Sequence, residues 1–215
     1  MFAQQIYGFL VMPLAHAMGP NDTGRLIYTG LTEAFFTYLQ VAFFAGIFIT
    51  FPILLWQVWM FIAPGLYKNE RMAILPFLIA TPVLFFLGGA CVYYVMIPMA
   101  WPFFLSFETN SANGMPIKLE AKVDQYLSLV MHLIIGFGIA FQLPIILTLL
   151  AKVGIVTVDG LKRNRRYAVV IIVIVAAFLT PPDVISQLTL SGALYALYEA
   201  SIISCRLVAK KKEEN

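Results

Sequence analysis

The chain alternates long runs without charge and short polar clusters. No charged residue falls between Ala34 and Tyr67, and after the island Lys68-Asn69-Glu70-Arg71 none falls until Glu108. A helix needs roughly 20 apolar residues to cross a hydrocarbon core about 30 Å thick, so each run predicts a membrane-spanning helix and the island a tight charged connection. Further charge-free runs cover Gln125 to Ala151 and Tyr167 to Pro182, and Val184 to Cys205 is interrupted only by Glu199. The pattern predicts an all-α, polytopic membrane protein with five spans, at about 35–57, 73–97, 126–150, 167–181 and 185–205, in a single membrane domain over 1–215.

Two features refine the spans. The first two runs exceed one crossing, so their ends include interfacial segments where Trp56, Trp59, Tyr67 and Trp101 suit the headgroup level. The run from Tyr167 to Pro182 is short: at 1.5 Å per residue it reaches only about 24 Å, so it thins the bilayer locally or lies against water-accessible protein.

Composition agrees with the pattern. Hydrophobic residues make up 61% and charged residues 12% of the 215, about half the charged share of a soluble domain, which excludes a water-soluble fold. Cys91 and Cys205 lie in or at the end of apolar spans without C-x-x-C spacing, so they read as buried inert thiols rather than as a disulfide or metal site.

Lys and Arg placement sets orientation. Lys68, Arg71, Lys152, Lys162, Arg163, Arg165, Arg166, Arg206 and Lys210 to Lys212 fall on one side. The other side has Arg25, Lys118 and Lys122, diluted by Asp22, Glu33, Glu108, Glu120 and Asp124. The positive-inside rule makes the first side and the C-terminus cytoplasmic. Five spans then place Met1 outside. Ala15-His16-Ala17 resembles a signal-peptide cleavage site, but no Lys or Arg precedes it, and Gly8 and Pro13 interrupt the apolar stretch. The better expectation is a further helix and cytoplasmic tail ahead of Phe2.

Three motifs carry a resemblance. The run Phe51-Pro52-Ile53-Leu54-Leu55-Trp56-Gln57-Val58-Trp59-Met60-Phe61-Ile62-Ala63-Pro64-Gly65-Leu66-Tyr67-Lys68-Asn69-Glu70-Arg71 resembles the second helix and first internal loop of TatC, the multispanning subunit of the twin-arginine, Sec-independent protein translocase. Phe141-Gln142-Leu143-Pro144 is similar to that family's fourth helix, and Leu179-Thr180-Pro181-Pro182-Asp183-Val184 to its last external turn. The similarity runs from about Phe2 to Arg206. It implies five helices of a six-helix bundle, without the N-terminal tail and first helix.

The resemblance also implies a receptor rather than an enzyme, located in a bacterial inner membrane. It would bind twin-arginine signal peptides of folded cargo and work with TatA-like and TatB-like single-span subunits in export driven by the proton-motive force. Self-association in the complex, contact with membrane lipid, no cofactor and no nucleic acid belong to the same expectation.

Individual residues keep two readings. Glu70 is the only acid of the first internal connection, and a carboxylate suits a guanidinium; with Lys68 and Arg71 it is the expected signal-peptide site, although spacing alone fits a solvated turn. Gln142 is a polar side chain inside a span, costly unless partnered: it contacts a partner helix, or it bonds backbone freed by Pro144. Asp183 fits the N-cap of the last helix behind Pro181 and Pro182, an external turn. Many relatives carry Glu where Gln142 stands, so a titrating role at that position is in doubt here. Glu199 reads as structural, reached by water or Arg206. The basic cluster from Lys162 to Arg166 sets topology and meets anionic lipid.

No H-E-x-x-H or G-x-S-x-G motif occurs, which leaves an intramembrane protease or lipase without support. A small secondary transporter would show an internal repeat and several intramembrane ionisable groups; a non-catalytic scaffold remains the other alternative.

Overall fold

The computed structural model of the chain describes residues 2–18, 26–62, 75–108, 119–180 and 184–213. Helices α1 (Phe2–Met18) and α2 (Glu33–Ile62) are followed by α3 (Leu75–Cys91), which runs through a π-helical turn at Val92–Met96 into α4 (Ile97–Leu105). Then come α5 (Val123–Ala140), α6 (Leu143–Val153), the short α7 (Val158–Arg163), α8 (Arg165–Leu179) and α9 (Val184–Glu213). Four segments are long and apolar enough to cross a membrane: Glu33–Val58, Ile79–Leu105, Val123–Val153 and Val184–Leu207. The fifth expected crossing is α8, whose 15 residues span only about 22 Å.

α5 is the hub because its apolar positions form one broad face. Leu127, Val130, Ile134 and Phe137 recur at helical spacing, Tyr126, Met131 and Leu133 widen the stripe, and all are buried, with α3 packed closely along it. The approach depends on two glycines: a Cβ on Gly88 would come within 2.7 Å of the Phe137 carbonyl oxygen, and one on Gly138 within 2.5 Å of the Phe85 ring. Small residues of this kind let membrane helices gain dispersion contacts that lipid cannot supply. On the other side of the bundle α9 lies against α6, burying Leu190, Leu194, Ser201 and Cys205. Cys205 is fully buried and Cys91 partly, and both are free thiols.

One element had no counterpart in the reading of the runs. Residues 2–18 form a helix despite Pro13, and Leu10 and Leu14, one turn apart, are each 2% exposed in the core. The Tyr126 hydroxyl donates to the Leu10 carbonyl at 2.7 Å, and the Tyr93 hydroxyl to the Phe9 carbonyl at 2.7 Å. The π-helical turn matters here: Ile97 N–H bonds Val92, and the extra residue per turn re-aims the side chains that follow, with Tyr93 stacked on Phe9 at 4.4 Å. At the same end Ile27 pairs with the segment before α5, its N–H donating to Ala121 at 3.1 Å and its carbonyl accepting from Val123 at 3.0 Å. Glu33, the first residue of α2, holds the turn ahead of its helix by accepting from the N–H groups of Thr29 and Gly30 at 2.8 and 2.9 Å.

Candidate functional site

The polar centre of the described bundle is Gln142, at the break between α5 and α6. Pro144 cannot donate a backbone hydrogen bond, and the chain tightens at this point: Gln142 N–H reaches Ile139 at 2.9 Å instead of Gly138. The Gly138 carbonyl therefore loses its usual helical donor. The Gln142 side chain replaces it, Nε2 lying 3.5 Å from Gly138 O and 3.1 Å from Thr81 O on α3. Gln142 is only 3% exposed. Its Oε1 is buried and accepts no hydrogen bond, so the donor half of the amide is used inside the chain and the acceptor half is left over.

At the basic end α7 begins with Thr157, whose hydroxyl accepts from Gly160 N–H at 3.1 Å. Gly154, at φ 86°, ends α6 in the left-handed region where glycine is favoured. The Tyr198 hydroxyl donates to the Leu161 carbonyl at 2.8 Å and ties α7 to α9. Arg165 bonds Glu199 at 2.7 Å, and Glu199 also accepts from Tyr195 at 3.1 Å. The partner of Glu199 is therefore Arg165, not Arg206. That pairing joins residues far apart in sequence, and spacing carries no signal for it. Arg166 lies over the Tyr167 ring at 4.8 Å, and Lys162 is 3.9 Å from Asp159. The basic residues are thus partly engaged within the chain.

Lys68, Glu70 and Arg71 lie outside the described residues, as do Pro181, Pro182 and Asp183. Among the expected site residues Gln142 alone is placed, and it is brought against α3 rather than against the basic end.

Fold and polar centre together define a multi-pass helical membrane protein, whose buried polar groups bond backbone and neighbouring helices. A family profile described as Sec-independent protein translocase protein (TatC) matches residues 1–192. A TatC protein of Magnetococcus marinus is 47% identical over 213 residues, covering 99% of this chain and 76% of the relative. One of Rickettsia prowazekii is 48% identical over 215 residues, covering 100% and 84%. A crystal structure of the twin arginine translocase receptor TatC superposes with a TM-score of 0.79 at 33% identity, covering 97% of this chain and 88% of that one. The chain belongs to the TatC family. It is a component of the Sec-independent protein translocase, engaged in protein transport rather than catalysis.

Proposed function

We propose that this chain is the receptor subunit that takes up twin-arginine signal peptides at the cytoplasmic face of a bacterial inner membrane. Export of the folded cargo would then proceed with TatA-like and TatB-like single-span subunits, in a self-associated complex driven by the proton-motive force. The observation that supports this best is the 33% identity, over 97% of the chain, to the crystal structure of a twin arginine translocase receptor. Lys and Arg placement supports a cytoplasmic C-terminus.

In this reading Glu70 receives a signal-peptide guanidinium, with Lys68 and Arg71 flanking it in the first internal connection. A shielded pair of this kind contributes about 1.5 to 3 kcal/mol, and exposure reduces it toward nothing. Gln142 is the proposed contact for a partner helix. Its unbonded Oε1 is the group with capacity to accept a donor there, and its burial means that α3 and α5 must part to admit one. Pro181, Pro182 and Asp183 form the proposed external turn, with Asp183 capping α9.

The test is crosslinking to a twin-arginine signal peptide in native membranes, with both arginines replaced by lysine as control. A crosslink that disappears in the control supports the receptor reading. Equal crosslinking of both peptides, or of neither, overturns it.

A further inference from the structure

Two carboxyl groups meet at the end of the bundle that holds the Ile27 pairing. Glu33 opens α2, Asp124 lies in the first turn of α5, and the two side chains are within hydrogen-bonding reach of each other. Glu33 Oε2 is engaged: the Thr29 and Gly30 N–H groups reach it at 2.8 and 2.9 Å and the Thr29 hydroxyl at 3.4 Å. The neighbouring oxygens are not. Glu33 Oε1 and Asp124 Oδ1 are both closed off from solvent, and neither receives a donor.

Among the described residues no cation neutralises the pair. Lys122, half-buried just ahead of Asp124, forms no ion pair, and Glu120 and Tyr28 are exposed. Glu108 accepts from Leu119 N–H at 2.9 Å. On α5 the Tyr126 hydroxyl is committed to Leu10, on α1 His16 to the Met12 carbonyl, and Tyr7 packs on Tyr38 of α2. Two ionised carboxylates are acceptors only and cannot bond one another, and side by side they repel. One proton between them removes both faults, because a carboxyl O–H then donates to the facing carboxylate. The backbone donors on Oε2 stabilise charge at Glu33, and the free N–H groups of the first turn of α5 make charge at Asp124 tolerable too. The proton is held and still exchangeable.

We propose that Glu33 and Asp124 share one exchangeable proton and so form a pH-sensitive clasp between α2 and the start of α5. Beside the pair, Ile27 N–H bonds Ala121 and Val123 N–H bonds Ile27, joining the segments that lead into the same two helices. Loss of the proton leaves like charges facing each other and pushes apart the elements those bonds hold together. In the orientation proposed above this end faces outward, the proton-rich side of an energised membrane, and the clasp is closed while the proton-motive force is high. That last step rests on the proposed orientation; the shared proton does not.

Infrared spectra of the full chain in detergent read the proton directly. At neutral pH, where isolated carboxyl groups are ionised, the C=O band of a protonated carboxyl should be present, and alkaline pH should remove it. The band should be lost in Glu33→Gln and in Asp124→Asn alike, because the amide takes over as donor and the remaining carboxylate stays ionised. Both substitutions keep shape and hydrogen bonding, and circular dichroism checks that the fold is kept. Spin labels on cysteines placed at the exposed Tyr28 and Glu120, in a Cys91→Ala, Cys205→Ala background, read the clasp. Their separation should grow as the band disappears in the wild type and stay fixed in Asp124→Asn. In sealed vesicles, a response to pH on the side that bears Asn164 would reverse the orientation and leave the shared proton standing. No protonated band at neutral pH, a band that survives both variants, or a separation that follows pH equally in Asp124→Asn each overturn the proposal.

Discussion

At the scale of single residues, glycines and one amide decide the interior. Gly138→Ala and Gly88→Ala each drive a methyl into a rigid neighbour, the Phe85 ring or the Phe137 carbonyl, and should cost about 1 to 3 kcal/mol by overpacking. Gly192 has nothing within 4 Å of an added Cβ, so Gly192→Ala should be neutral or slightly stabilising. Thermal aggregation temperatures in detergent check the contrast, and equal losses at all three sites would contradict it. Gln142→Leu removes a donor to Thr81 and an orphaned oxygen together. Membrane hydrogen bonds are worth about 0.6 to 1.7 kcal/mol, so insertion should survive. Recovery of a TatA-like or TatB-like partner should fall if the amide is a partner contact, and unchanged recovery would leave Gln142 a structural tie between α5 and α3. Glu70→Gln should lose most of the signal-peptide crosslink and Glu70→Lys more, and loss of binding to all signal variants alike would assign Glu70 to shaping the loop.

At the scale of elements, the short α8 depends on its neighbours. Its start is joined to α9 by Arg165 and Glu199, whose side chains are 46% and 31% exposed. Such a pair is worth at most about 1 kcal/mol, so Arg165→Ala should lower stability only slightly. The exchange Arg165→Glu with Glu199→Arg should recover part of the loss, whereas Glu199→Arg alone should do worse than Arg165→Ala by placing two like charges together. The buried Tyr198 hydroxyl on Leu161 has more at stake, since Tyr198→Phe strands a carbonyl at a cost of about 1 kcal/mol or more. Protease resistance of the α7–α9 segment in detergent separates these cases.

At the scale of the whole molecule, alternation of helices sends α6, α7 and the start of α8 to one end of the bundle. The Arg165–Glu199 and Tyr198–Leu161 contacts bring the later part of α9 to the same end. The opposite end holds α1 and the pairing of Ile27 with Ala121 and Val123. Cysteines introduced at Asn164 and Asn113 should therefore label oppositely with an impermeant thiol reagent on intact cells. The excess of Lys and Arg predicts that only Asn113 is reached from outside, and labelling of Asn164 would reverse the orientation.

What was legible in the sequence follows from the solvent. A bilayer tolerates few charges and demands helices, so charge-free runs marked five segments and the Tyr167 run as short, as α8 is with 15 residues, whereas the last run belongs to a span of 24 residues, Val184–Leu207. The Phe51 to Arg71 and Phe141 to Pro144 motifs carried the family for the same reason, since they are local strings. Tertiary structure alone decided the rest. Residues 2–18 became a helix in the core because Leu10, Leu14 and two backbone carbonyls found partners on α5 and the π-helical turn, and no local run encodes those partners. Glu199 went to Arg165 instead of the nearer Arg206 because α8 folds back along α9. The bond of Gln142 to backbone of its own helix, at Gly138, was among the sequence readings, but its bond to Thr81 arose only when α3 came close. Sequence determined which segments must leave water; packing determined which polar atoms each of them meets.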